Sequence, residues 1–222
     1  MLADAEVLKV FSELLGNFKL DFNLRVNDRR LLESALITRT GILPDKFKSI
    51  CHVLDRLDKE PWETCAQSLT EIGVNGDQLK KIEEFVKSTG SSESVHQAIL
   101  RLDNMIDNKE VLKELRLLGD YVDAMGIADR VRLDMSLVRG LDYYTGMIFE
   151  AGIVGGEEAN LGLGSIAAGG RYDNLIGMFG KNQIPAAGGS LGIERIFNIL
   201  ETRVEKEMYI ANPIDVVVGS IG

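Results

Sequence analysis

Apolar residues recur at helical spacing from the first positions of the chain: Val7, Leu8, Phe11, Leu14 and Leu15 fall on one face of a helix over residues 3–16. The period then shortens to two. Leu20–Val26 (LDFNLRV) alternates apolar with polar residues, which predicts a half-buried strand. Asn27 and Asp28 are short polar residues suited to cap the next helix, whose inward positions are Leu31, Leu32, Ala35 and Leu36. From Leu43 to about Gly126 the sequence is charged and keeps a helical period, punctuated by Gly73, Gly76 and Gly90. Val111, Leu115, Leu118, Val122 and Met125, spaced by four and three, are its clearest stretch. This block predicts a compact all-helical insert, entered near Pro44 and left near Gly126.

Strand and turn patterns return at Val131. Strands are predicted over Val131–Leu137, Met147–Ile153, Gly164–Ala168 and Ala187–Leu191. The short turns between them favour antiparallel pairing, since parallel strands need longer crossovers. A helix over Ile193–Val204 follows, and Ile214–Ser220 (IDVVVGS) reads as a buried strand that opens a further unit. The fold class is therefore α+β, an antiparallel sheet flanked by helices and interrupted by a helical insert. The predicted divisions are 1–42 and 127–208 for the core, 43–126 for the insert and 209–222 for the start of another domain.

Composition narrows the chemistry more than the fold. The chain is 45% hydrophobic and carries a formal charge of −9, which argues against generalised nucleic-acid binding through a basic surface. No stretch approaches the roughly 18 apolar residues of a membrane-spanning helix, and residues 1–16 lack the basic start and apolar run of a signal peptide. A cytoplasmic location is the expectation. Cys51 and Cys65 lie 14 positions apart without a CxxC partner, and His52 and His96 are the only histidines. A structural zinc site is not expected from that set, and no protein-bound metal is predicted. Buried thiols and two packing or surface histidines on helices are the simpler reading.

Glycine is concentrated: 14 of the 23 lie between Gly140 and Gly192, where the backbone must turn tightly or approach something closely. GLGSIA (Gly162–Ala167) has the spacing of a dinucleotide fingerprint but lacks the preceding strand and following helix that the fingerprint needs. No P-loop occurs, and a Ser/His hydrolase is hard to build because His52 and His96 both lie in the helical block. Three stretches stand out instead. VRGLDYYTG (Val138–Gly146) joins Arg139, Asp142, Tyr143 and Tyr144; on a strand the two tyrosines would point to opposite faces, one packing and one lining a cavity. A β-bulge with aromatic packing suits the same residues. AAGGRYDNLIGMFG (Ala167–Gly180) sets two glycines before Arg171 and Tyr172, with Asp173 placed to cap a short helix. PAAGGSLGIERIFNIL (Pro185–Leu200) offers a flat strand of small residues and Arg195 at the start of a helix. Singly, each suits tight strand pairing and surface ion pairs. Together they point to an anionic ligand held against a sheet.

RGLDYYTG, AAGGRYD and GGSLGIERIF resemble, in this order, two histidine-specific signatures of histidyl-tRNA synthetase and the last motif shared by class II aminoacyl-tRNA synthetases. The resemblance extends through DFNLRVNDRRLLESAL (Asp21–Leu36), covers the whole chain, and follows the element order of the eukaryotic or archaeal type. It implies ATP and histidine as substrates, Mg2+ accompanying ATP, transfer of the histidyl group to its tRNA, and a homodimeric enzyme. It further implies Arg139 as the catalytic cation at the α-phosphate, Tyr144 and Tyr172 in the histidine site, Gly188, Gly189 and Ser190 under adenine and ribose, and Arg195 at the ATP tail. Asp142 would fix a turn and Arg171 would brace the cavity. The family's first two class motifs would precede Asp4-Ala5-Glu6, so the 222 residues alone are expected not to activate histidine. Two other readings remain: a non-catalytic relative, such as the regulatory subunits of histidine biosynthesis or the sensing domain of a stress kinase, and a small-molecule or nucleotide-binding protein with a glycine-rich sheet. The intact RGLDYYTG around Arg139, together with Arg195, favours the enzyme over the non-catalytic relative, and a simple ligand-binding protein would bind without releasing pyrophosphate.

Overall fold

The computed structural model describes residues 1–89, 93–140, 142–180 and 182–206. The predicted strand at Ile214–Ser220 and the division at 209–222 lie outside the described residues. The chain opens with α1 (Leu2–Asn17) and β1 (Phe22–Asp28). Leu8, Phe11 and Leu15 bury the inner face of α1, whereas Leu14 stays on its flank, 38% exposed. Asp28 caps α2 (Arg29–Glu33) by accepting a 2.8 Å hydrogen bond from the Arg30 backbone N–H. A π-helical turn, Ser34–Thr38, follows.

The predicted helical block is helical. It contains α3 (Phe47–Leu54), a 3-10 turn (Asp55–Asp58), α4 (Trp62–Glu71), α5 (Gly76–Val86), α6 (Val95–Leu102) and α7 (Lys109–Ala124). Asn75 and Ser94 start α5 and α6 through reciprocal capping with Gln78 and Gln97, which satisfies otherwise orphaned backbone donors. Leu112, Leu115 and Leu118 of α7 are fully buried, and α7 packs on α1, so the apolar cluster runs unbroken from the helices into the sheet.

The remaining elements are β2 (Val131–Leu133), β3 (Met147–Ile153), β4 (Ala167–Arg171), β5 (Ala187–Leu191) and α8 (Ile193–Lys206). The strands form one sheet in the order β2-β1-β3-β4-β5. Three pairings are antiparallel, as expected, but β1 and β2 run parallel. The physical reason is the helical block between them, a connection long enough to return the chain in the same direction.

Three strands differ from their predicted bounds, β1 lying two residues later, over Phe22–Asp28 in place of Leu20–Val26. β2 ends at Leu133 because Asp134 turns the chain, its carboxylate accepting from the Ser136 backbone N–H at 2.9 Å and hydroxyl at 2.6 Å. β4 is displaced along the chain to include Gly169 and Gly170, whose lack of side chains lets the sheet pass bulky neighbours on both faces. The row Val26–Phe149–Gly169–Gly189 faces α1, where the Phe11 and Phe149 rings lie 4.9 Å apart. The alternate row, Arg25–Glu150–Ala168–Ser190, faces the opposite side.

Candidate active site

The polar face of the sheet carries the site. Arg139 comes from the irregular chain after β2, and Gly140 turns it with φ +62°, a left-handed conformation that favours glycine. That turn corrects the strand expectation for the tyrosine pair. The Tyr144 backbone N–H donates to Gly140 O at 3.0 Å, and the Tyr143 and Tyr144 rings lie 4.3 Å apart and not on opposite faces. Tyr143 is 43% exposed and Tyr144 only 8%. Burial first, and then a hydrogen bond with Tyr143, push the Tyr144 phenol above its ordinary value, which keeps its hydroxyl proton available for donation.

Tyr172 follows β4, and its ring stands 6.5 Å from that of Tyr144. The Tyr172 hydroxyl reaches over Gly188 of β5, where an added Cβ would come within 2.5 Å of it. Tyr144, in turn, lies over Gly170, where an added Cβ would be 2.9 Å from its ring. The glycines of both signatures thus leave room for aromatic rings as well as for backbone. Gly188 and Ser190 share the polar face with Glu150, while Gly189 between them turns toward Phe11 and Phe149.

Two cavities meet at Arg139. One, of about 390 Å³, is lined by Tyr143, Tyr144, Lys48, His52 and Ala168 as well as Arg139. The other, of about 500 Å³, is lined by Arg25, Lys59, Glu150, Gly164 and Ser165 as well as Arg139. Arg139 Nη1 is 3.0 Å from Glu150 Oε1 and donates to Ser165 Oγ at 3.2 Å. Arg195, exposed at the start of α8, donates to the Ser165 backbone O and lies 3.4 Å from its Oγ. Ser165 therefore joins two of the three arginines that the sequence singled out.

Several residues here had no role in the sequence reading. Glu150 is 2% exposed, and its second oxygen accepts from Arg25 Nη2 at 3.0 Å. Arg25 also holds both oxygens of Asp58, at 2.8 and 3.0 Å, and Asp134 at 3.3 Å. The hydrogen bond from Arg25, working against burial, lowers the Asp58 carboxyl below its ordinary value. A lone acid within the apolar strand MIFEAGI was the one available sign of Glu150. His52 and Lys48 reach the cavity from α3, which periodicity alone does not reveal.

The other candidates have structural partners. Arg171 grips the fully buried Asp4 with Nε and Nη2, at 3.0 and 2.6 Å, and so ties β4 to α1. Asp173 accepts from Arg171 at 3.1 Å and from the Ala186 backbone N–H at 3.2 Å and does not cap a helix. Asp142, expected to fix its own turn, reaches Lys48 at 2.6 Å across the first cavity. That hydrogen bond lowers the Asp142 carboxyl. His96, half-buried on α6, faces Asp123 at 3.1 Å. Cys51 and Cys65 are buried free thiols, and burial pushes Cys51 up to about 12. Among the described residues, no group of three or more His, Cys, Asp or Glu side chains is placed to hold a metal ion, and no helix is long and apolar enough to cross a membrane.

A family model described as histidyl-tRNA synthetase matches residues 1–196. The chain belongs to the histidyl-tRNA synthetase family. Among its relatives, the cytoplasmic histidine–tRNA ligase of Dictyostelium discoideum is 44% identical, over 93% of this chain and 43% of the relative. The human mitochondrial histidine–tRNA ligase is 37% identical, over 96% of this chain and 46% of the relative. The crystal structure of histidyl-tRNA synthetase from Nostoc sp. PCC 7120 superposes with a TM-score of 0.79 at 30% identity, covering 94% of this chain and 48% of that one. An ATP phosphoribosyltransferase regulatory subunit/histidyl-tRNA synthetase from Bacillus halodurans superposes with a TM-score of 0.73 at 20% identity, covering 90% of this chain and 50% of that one, a likeness of fold alone. The chain spans under half the length of these two ligases.

Proposed function

We propose that this chain supplies the histidine-binding and phosphate-binding part of a histidine–tRNA ligase. The observation that carries the reading is the position of Arg139, whose guanidinium borders both the tyrosine-lined cavity and the cavity at Ser165. In this reading Tyr144 and Tyr172 hydrogen-bond the imidazole or ammonium of histidine. Gly188, Gly189 and Ser190 form the floor under adenine and ribose, and Arg195 holds the ATP tail. A histidine carboxylate oxygen attacks the α-phosphorus of ATP; the new P–O bond forms as the bond to pyrophosphate breaks. Arg139 stabilises the charge that develops on the phosphate oxygens, a fixed guanidinium being suited to that role. A hydroxyl at the tRNA end then takes the histidyl group as an ester, and AMP leaves. Mg2+ accompanies ATP in this scheme.

The same reading makes 43–126 an insertion within a catalytic core formed by 1–42 and 127–208, with 209–222 beginning an anticodon-binding domain. It is of the eukaryotic or archaeal type, acts as a homodimer, and works in the cytoplasm. Cytoplasmic ligases of Dictyostelium and Arabidopsis support that placement, and mitochondrial relatives mark the competing one. Because catalysis needs several groups positioned together, the 222 residues alone should not activate histidine. The test is histidine-dependent ATP–pyrophosphate exchange by this chain and by the longest product of its gene. Activity confined to the longer product, reduced by about 100-fold or more in Arg139→Gln, supports the reading. Silence in both, with histidine still bound, would replace it with a regulatory, non-catalytic role.

A further inference from the structure

We infer that Glu150 is the positioning residue that aims Arg139, an inference that rests on the proposed role of Arg139 at a phosphate. Arg139 lies on irregular chain, and a free arginine side chain loses rotamer entropy when it is held. Its guanidinium is nevertheless fixed at one corner. Nη1 has two N–H groups; Glu150 Oε1 lies 3.0 Å from it and Ser165 Oγ accepts at 3.2 Å. The opposite edge, Nε and Nη2, is differently placed. Its acidic neighbours among the described residues are Asp55 at 3.6 Å and Asp58 at 3.9 Å, both beyond hydrogen-bond length. That edge is a fork of two parallel N–H groups, the arrangement that grips two oxygens of a phosphate or carboxylate.

Glu150 suits the task because it cannot itself swing. It lies within β3, is 2% exposed, and has its second oxygen tied to Arg25 Nη2 at 3.0 Å. Arg25 is held in turn by Asp58 and Asp134. The carboxylate thus transmits the rigidity of the sheet to a guanidinium that stands outside it. A merely structural role, offsetting the charge of Arg25, would make Glu150 matter for stability and leave the aim of Arg139 unchanged.

Two measurements separate these roles. In the longest product of the gene, Glu150→Gln is expected to lower kcat for pyrophosphate exchange by about 10- to 100-fold, because a small misplacement of a catalytic group costs that much. The KM values for histidine and ATP should change by less than about threefold, since the ground-state contacts remain. Glu150→Asp, which restores the charge, should recover part of kcat. In the 222-residue chain, ¹⁵N resonances of the Arg139 guanidinium, assigned with Arg139→Lys, should be resolved at Nη because rotation is hindered. They should collapse in Glu150→Gln while the amide spectrum stays dispersed, and Ser165→Ala should loosen them less. If Glu150→Gln unfolds, Glu150→Asp supplies the same comparison, with a weakened signal expected. Nη resonances that stay resolved without the Glu150 carboxylate overturn the inference, as does a fall in kcat matched by rising KM values. An inactive wild-type product would instead defeat the ligase reading, while the resonance comparison still decides the role of Glu150.

Discussion

Gly169 and Gly188 occupy neighbouring strands, yet a methyl group at each would meet different things. At Gly169 it would run into the backbone of β5, including Gly189 Cα at 2.6 Å, as well as the Phe149 ring. Strands cannot separate without losing their ladder, so Gly169→Ala is expected to cost about 2–3 kcal/mol of unfolding free energy in urea denaturation. At Gly188 the close neighbour is the Tyr172 hydroxyl at 2.5 Å, the far end of a ring that can move. Gly188→Ala should therefore cost under about 1 kcal/mol. Its larger effect should be on histidine binding by the longer gene product, read by calorimetric titration. Equal destabilisation by the two substitutions would refute the distinction. The sequence identified both glycine pairs as places of close approach. Which glycine meets backbone and which meets a ring depends on strand register and on the tyrosine rotamers, neither of which a local pattern encodes.

Among the elements, the Asp55–Asp58 turn shows how the helical block is attached to the sheet. Asp58 takes two hydrogen bonds from Arg25 on β1 and lies below its ordinary carboxyl value of 3.8 because of them. A carboxyl whose value is lower in the folded state stabilises the fold above the unfolded value, and that contribution is lost as pH falls through the folded one. Asp58 keeps 32% of its side chain exposed, so solvent screening limits the pair to about 1 kcal/mol. Asp58→Asn should lower stability near pH 7 by about that amount and flatten the decline below about pH 4. Urea midpoints between pH 3 and 7 measure both; curves that remain parallel to wild type would show that the pair contributes nothing. Helices such as α7 follow directly from periodicity, and β3 and β5 match their expected bounds. β2 and β4 do not, because the Asp134 turn and the accommodation of Gly169 are decided by side-chain partners and neighbouring strands.

For the whole molecule, the decisive feature is the continuity of the apolar core. Buried residues of α7 pack against α1, which lies on the sheet, so the helical block shares the core of the strands that it interrupts. Unfolding should therefore be one cooperative transition, with near- and far-ultraviolet circular dichroism giving coincident curves. Two separated transitions would show that 43–126 folds as an autonomous unit. The topology also explains the parallel pairing of β1 and β2. Antiparallel hairpins dominate the glycine-rich half, and the long helical connection brings the chain back to the far edge.

Much followed from the sequence alone: the helical periods, the concentration of glycine beside arginine and tyrosine, and the three signature stretches that place the chain in its family. Those properties are local, each confined to a few turns or one strand. The tertiary structure alone decided that Glu150 bridges Arg139 and Arg25, a residue 125 positions away. It also decided that Ser165 joins Arg139 to Arg195, and that Arg171 braces Asp4 rather than the cavity. The reason is physical: the charge and shape of a side chain are local, but its partner is set by register and packing between segments far apart in the chain.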